Sequence, residues 1–300
     1  MPPDLEISVP GSIANLGPGF DTLAVAVQLY LRLAVTVGPG EGELRFRFLD
    51  CKPDGENYIE RAFRFLAKQR AGEFPSLSID VSSEIPTKAG LGSSAAATVA
   101  GLRLYEAIGG PLPEQGLLNA ACALEGHPDN VAAALLGGLT VSCQLSDRSS
   151  YAVQLHWPES LQFLVLTPEF ALPTVASRNA LPEKISREDA VFNIQRVALF
   201  LQVVQTGNYS LLREALHDRL HQPFRQRLVP GLERALALEH PHLLGVCLSG
   251  AGPSIVAIAE KNFDEIERLL ERSFLPTGLP FRIRRLCAHQ AVGHTILSSA

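Results

Sequence analysis

The chain has 300 residues, of which 46% are hydrophobic and 19% charged, with a formal net charge of −5. That length holds one large domain or two ordinary ones and supplies enough apolar material for a sizeable core. A mildly acidic balance argues against a nucleic-acid partner, which favours a basic face, but leaves room for a local basic pocket.

The first ten residues have no apolar run and carry Asp4 and Glu6, so they do not read as a signal peptide. The apolar stretch Leu23 to Val37 is interrupted by Gln28 and Arg32 and is too short to span a bilayer. A soluble cytoplasmic protein without a membrane partner is expected. Leu44, Phe46 and Phe48 alternate with Arg45 and Arg47, the period of a half-buried strand. Tyr58 to Arg70 has helical spacing of Ile59, Phe63, Leu66 and Ala67, with Gly72 as its stop. Leu77 to Val81 reads as a strand. A Gly-rich turn then leads into an Ala-rich helix from Ser93 to Ile108. Two helical segments follow the break at Gly109 to Pro113, and Gly137-Gly138 opens a strand from Leu139 to Leu145.

The polar stretch Ser146 to Ser150 is the expected domain boundary, which gives domains of 1–150 and 151–300. The second half begins with a core strand, Leu161 to Leu166. Helices are predicted at Glu188 to Gln205, Ser210 to His217 and Leu232 to Glu239. Strands at Leu243 to Leu248 and Ser254 to Ala259, a helix from Phe263 to Arg272 and a strand from Phe281 to Leu286 complete it. The class is α+β with two domains. Five cysteines (Cys51, Cys122, Cys143, Cys247 and Cys287), with no C-x-x-C spacing, read as reduced and mostly buried thiols.

The segment with the most chemistry is P-T-K-A-G-L-G-S-S-A-A-A: Pro86, Thr87, Lys88, Ala89, Gly90, Leu91, Gly92, Ser93, Ser94, Ala95, Ala96 and Ala97. Gly90 and Gly92 permit positive φ and close backbone approach, and Ser93 and Ser94 are suited to cap the helix that follows. A helix N-terminus behind such a turn presents unpaired N–H groups to an anion, of which phosphate is the usual one. The G-x-x-x-x-G-K-[ST] loop is absent.

This segment resembles the phosphate-binding loop of the GHMP kinases, the superfamily of galactokinase, homoserine kinase, mevalonate kinase and phosphomevalonate kinase. Two other motifs of that superfamily stand in the same order. P-G-S-I-A-N-L-G-P-G-F-D-T-L-A lies within Val9 to Val27, and L-S-G-A-G-P-S-I runs from Leu248 to Ile255. The string N-L-G-P-G-F-D, Asn15 to Asp21, and E-G-H-P-D-N, Glu125 to Asn130, resemble the homoserine kinase family in particular. Ile13 stands where that family usually has Ser, and Ala24 where it usually has Gly.

The resemblance implies a two-domain fold with an N-terminal mixed α/β nucleotide-binding domain and a C-terminal ferredoxin-like α+β domain. It implies ATP and Mg²⁺ as cofactors, L-homoserine as substrate, a place in threonine biosynthesis and a homodimer. By the same carry-over, residues 86–96 cradle the triphosphate, Asn57 lies near the adenine, and Ser94 and Glu125 hold the metal. Asn15, Asp21, His127 and Asn130 hold the amino and hydroxyl end. Thr174, Arg178, Arg225 and Gly252 complete the substrate site, the two arginines as carboxylate anchors. Several relatives pair an Asp with an N-terminal Lys as a catalytic base arrangement. Here those places fall on Asn130 and Ser12, which implies that no strong base removes the hydroxyl proton. Asp129, one residue away, is the competitor for that position. The rival readings are a related kinase acting on another alcohol and a catalytically inactive ligand-binding relative.

Overall fold

Residues 3–50, 55–290 and 297–298 are described in a computed structural model of the chain. It opens with β1 (Leu5–Ala14) and β2 (Leu23–Glu41). Along β2, Leu29, Leu31, Leu33 and Val35 are buried while Gln28, Arg32 and Thr36 are exposed. The polar interruptions that argue against a membrane span are thus the outward positions of a long strand with period-2 alternation. Next come β3 (Leu44–Phe48), α1 (Tyr58–Arg70), β4 (Pro75–Ser83) and α2 (Ser93–Gly109). α3 (Glu114–Glu125), α4 (Asp129–Leu136), β5 (Leu139–Gln144) and β6 (Ser150–Leu155) follow.

β2 pairs antiparallel with β1, β4 and β5, and β3 runs parallel to β4. The stretch Ser146–Ser150, expected as the domain boundary, holds the turn of the β5–β6 hairpin and the first residue of β6, with Leu145 N–H donating to Ser149 O at 2.7 Å. Its polar composition reflects turn chemistry. The chain therefore leaves the first sheet after Leu155.

The second half runs β7 (Gln162–Pro168), α5 (Thr174–Asn179), α6 (Arg187–Thr206), α7 (Leu212–Ala215), α8 (Gln222–Arg225) and α9 (Leu232–Leu236). It continues with β8 (Leu243–Leu248), β9 (Ile255–Ala259), α10 (Phe263–Phe274) and β10 (Phe281–Leu286), and β11 (Leu297–Ser298) pairs back onto β1. The second sheet has the order β10-β7-β9-β8, antiparallel throughout. With α10 between β9 and β10, this is the ferredoxin-like arrangement that the sequence implies. The architecture, a mixed α/β first part and an α+β second part, is the one expected.

The core under the first sheet is built by Ile59 and Phe63 of α1, the Ala-rich face of α2, and Val131 and Leu135 of α4. Trp157 and Phe163, with ring centroids 4.9 Å apart, continue it towards Phe200 of α6. The thiols are less buried than expected: Cys247 is fully enclosed, Cys122 and Cys287 are half-buried, and Cys143 is exposed. All four are free, and Cys51 lies outside the described residues. Among the described residues no helix is long and apolar enough to cross a membrane.

Candidate active site

A cavity of about 370 Å³ opens where the loops of the two sheets meet. Its floor is the turn before α2. Gly92, with φ 72°, is the N-cap of that helix, and no side chain caps its first turn. Ser93 and Ser94, expected as caps, are the first two helical residues, because glycine takes the left-handed position that a serine would enter only with strain. The leading N–H groups of a 17-residue helix thus stay available to an anion. Gly90 is required by packing as well as by φ. A Cβ there would stand 2.3 Å from Ser249 O, and Ser249 Oγ donates to Gly90 O at 2.6 Å. Thr87, Lys88, Ala89, Gly90, Gly92, Ser93 and Ser94 line the cavity, whereas Pro86, Leu91, Ala95 and Ala96 support it from behind.

The hydroxyl of Ser94 donates to Glu125 Oε2 at 2.8 Å. Thr98, one helical turn on, donates to Glu125 Oε1 at 2.7 Å, and Arg61 Nη2 stands 3.5 Å from the same oxygen. Glu125 ends α3 and does not line the cavity itself; it reaches the cavity through Ser94. Thr98 and Arg61 lie outside every sequence motif, and i,i+4 spacing from Ser94 was the only available sign of Thr98. One carboxylate beside one hydroxyl is a sparse donor set. Among the described residues no group of three His, Cys, Asp or Glu side chains gathers in a metal-binding cluster.

At the other end, Asp21 and Arg178 form a two-pronged ion pair, Nη2 to Oδ1 at 2.7 Å and Nη1 to Oδ2 at 3.0 Å. Burial works against the Arg178 charge, but the Asp21 bond together with the charges of Asp21 and Asp129 outweighs it and raises the pKa. Arg225 is buried, and its donors reach Ser177 O, Gly250 O and His221 Nδ1 at 3.3, 3.0 and 3.1 Å. Burial, reinforced by the Arg178 charge, lowers its pKa to about 10. Both guanidinium groups sit over the Phe20 ring, at 5.6 and 5.4 Å from its centroid. Phe20, inside the G-F-D string, is a cavity residue that sequence reasoning missed.

Asn15 lines the cavity, yet its amide is committed to the backbone. Nδ2 donates to Gly250 O at 3.0 Å, and Oδ1 accepts from Asp21 N–H at 3.1 Å. It braces the first motif against the third. Gly250 and Ala251 line the cavity but Gly252 does not; it packs against Leu248, Val229 and Leu172. Thr174 opens α5 at the cavity mouth beside Val175. Asn57 is the N-cap of α1, accepting from Glu60 N–H at 3.4 Å, and also lines the cavity. Tyr58, Ile59, Leu31, Phe48 and Val81 add an apolar wall beside it that no motif announced.

Between the two ends stand Asp129 and Asn130, both in the cavity wall. Ser12 Oγ donates to Asn130 Oδ1 at 2.8 Å, so these two side chains share a neutral hydrogen bond. The buried Asp129 accepts from Asn130 N–H at 2.7 Å and pairs with His127 Nδ1 at 2.9 Å. Burial disfavours the charged imidazole, but the Asp129 bond and charge prevail, and the His127 pKa is raised.

Comparison with known proteins gives the family. Residues 57–138 match the GHMP kinases N terminal domain, and residues 199–274 match the GHMP kinases C terminal domain. The homoserine kinase of Solibacter usitatus is 40% identical over 282 residues, covering 91% of each chain. That of Caldicellulosiruptor bescii is 38% identical over 280 residues, covering 92% of this chain and 91% of its own. The crystal structure of homoserine kinase from Cytophaga hutchinsonii superposes with a TM-score of 0.85 at 25% identity, covering 98% of both chains.

Proposed function

Because this chain belongs to the GHMP kinases, in their homoserine kinase family, we propose that its reaction is the ATP-dependent phosphorylation of the side-chain hydroxyl of L-homoserine. The products are O-phospho-L-homoserine and ADP, in a step towards threonine. The observation that carries this reading is the charge layout of one cavity. An uncapped helix N-terminus lies at one end, and Asp21, Arg178 and Arg225, suited to an amino-acid zwitterion, lie at the other.

ATP enters with its triphosphate against the start of α2 and its base against the apolar wall beside Asn57. The residues present fit Mg²⁺: the Glu125 carboxylate and the Ser94 hydroxyl, 2.8 Å apart, would hold it as hard oxygen ligands. When bound, the ion neutralises charge on the phosphates. Asp21 receives the ammonium group, and Arg178 and Arg225 take the carboxylate in fixed geometry. The hydroxyl oxygen attacks the γ-phosphorus, and the bond from that phosphorus to the bridging oxygen of ADP breaks.

Asn130, its Oδ1 engaged by Ser12, presents an amide that positions the hydroxyl but does not deprotonate it. The proton passes late, to the transferred phosphoryl oxygens. A loose transition state needs positioning and charge stabilisation more than an activated nucleophile. We place the enzyme in the cytoplasm as a homodimer on the family resemblance; light scattering of the purified protein tests the second point. An ADP-release assay over homoserine, mevalonate, galactose and shikimate tests the function. Turnover confined to homoserine is expected. Preference for another alcohol assigns a different substrate, and no turnover with any of them supports an inactive relative.

A further inference from the structure

Arg225 carries a buried charge, and among the described residues none of its hydrogen-bond partners is a carboxylate. It touches two backbone carbonyls and the imidazole of His221. That imidazole is fully buried, and its two nitrogens meet partners of fixed character. A guanidinium has no acceptor, so Nδ1, 3.1 Å from Arg225 Nη1, must accept. A carbonyl cannot donate, so Nε2, 2.7 Å from Gly17 O, must carry the proton.

We propose that His221, as the neutral Nε2–H tautomer, is a positioning residue that ties the Arg225 guanidinium to the backbone of the Gly17–Gly19 turn and so holds it in line for the substrate carboxylate. The inference rests on the reading of Arg225 as a carboxylate anchor. Three features keep the ring neutral and in place. Asp218, whose Oδ2 lies 3.5 Å from Nε2, already accepts from the backbone N–H groups of Leu220, His221 and Gln222 and from Asn193 Nδ2, so it has no call on the imidazole proton. The Phe20 ring stacks on the imidazole at 5.4 Å and closes it from the cavity. Burial, which outweighs the attraction of Asp218, and the charge of Arg225 lower the His221 pKa, with Asp21 a more distant opposing charge. Protonation would remove the acceptor and set two cations side by side. His221 also reaches across the sequence, because Gly17, 204 positions away, belongs to the turn that carries Phe20 and Asp21.

The test combines spectroscopy and kinetics. In protein labelled with ¹⁵N-histidine, the Nδ1 resonance of His221 is expected to be that of an unprotonated acceptor, and to move in R225K. A protonated Nδ1 overturns the proposal without any variant at position 221. His221→Asn keeps an acceptor where Nδ1 stands, whereas His221→Phe keeps the ring and loses it. H221F is expected to raise the KM for homoserine about tenfold or more, the scale of one hydrogen bond to a charged group. H221N should recover most of that loss, with the KM for ATP steady in both. Adding H221F to R225A should cost little more than R225A alone.

Equal rises in both Michaelis constants, or full additivity, would make His221 merely structural and overturn the proposal. 3-Aminopropan-1-ol, a carboxylate-free competitor, separates the two levels. If R225A weakens it as much as homoserine, the carboxylate reading of Arg225 falls and this inference with it. If R225A discriminates between the two compounds and H221F does not, the inference alone falls.

Discussion

At the scale of single residues, the Asp21–Arg178 pair explains how a site for a zwitterion stays balanced without one. Each side chain holds the partner that the ammonium or carboxylate group later replaces. Arg178→Ala is expected to lower kcat/KM for homoserine roughly ten- to a hundredfold, from the loss of a charge-assisted bond of about 1.5–3 kcal/mol. The KM for ATP should change little. Equal loss with a carboxylate-free amino alcohol would assign Arg178 another task. His127 and Asp129 make a second testable pair. The His127 pKa is raised in the fold, so its contribution to stability is fully present below the ordinary histidine value of about 6.5. That contribution is lost as pH rises through the raised value. An NMR titration should find the midpoint above that of a free histidine, and lower in Asp129→Asn. The same variant should leave kcat within about tenfold if Asp129 only orients His127 and Asn130, since a general base typically contributes about 10²–10⁴-fold. A fall of several orders of magnitude with the fold and both Michaelis constants preserved would make Asp129 the general base.

At the scale of elements, α2 and α3 meet where Ser94 and Thr98 both donate to Glu125. Two hydroxyl groups one turn apart fix both carboxylate oxygens before any ligand arrives. Thr98→Val keeps the shape and removes one donor, so the Mg²⁺ concentration for half-maximal activity should rise severalfold. Glu125→Gln should raise it further, because the amide adds no charge to a hard cation. Unchanged Mg²⁺ dependence in both variants would remove Glu125 from the metal site. Motifs with short fixed spacing were legible: the glycine turn before α2, His127, Asp129 and Asn130 of E-G-H-P-D-N, and Arg178 and Arg225 all reach one cavity. Strands with plain alternation, such as β3, and the amphipathic α1 and α10 were legible for the same reason. β2 went unread as a strand because its first five residues are all buried, which hides the period until Gln28. Thr98, Phe20 and His221 act through partners 27 to 205 positions away, and no local pattern encodes such partners. The β5–β6 turn reads as a domain boundary because turns and boundaries share polar composition. We therefore propose that the two domains are better centred on the two sheets than divided at residue 150, with β6 and β11 belonging to the first.

At the scale of the whole molecule, the three motifs act as a clasp between the sheets. Gly250 N–H donates to Ala14 O at 3.1 Å, Ser254 N–H to Ala89 O at 3.2 Å, and Ser249 Oγ to Gly90 O at 2.6 Å. Asn15 and Asn193 add side-chain bonds to Gly250 O and Pro18 O, both at 3.0 Å. The cavity is therefore assembled only when both sheets are folded and joined, and ligands that fill it stabilise the joined state. One unfolding transition is expected in calorimetry, with van't Hoff and calorimetric enthalpies in agreement. Saturating ATP analogue with homoserine should shift it upward as a unit, by about 2.7 kcal/mol at a hundred times the dissociation constant. Ser249→Ala removes a clasp bond from within the phosphate loop and leaves Gly90 O without that donor. A loss of about 1–3 kcal/mol follows, from the price of an unmet buried carbonyl. Because Ser249 touches the loop and no substrate directly, the variant should lose stability and nucleotide affinity together while homoserine recognition by Asp21 and Arg178 survives. Two separate transitions in the wild-type protein, or a destabilised S249A with unchanged nucleotide affinity, would show that the sheets fold as independent units and that the clasp does not shape the phosphate loop.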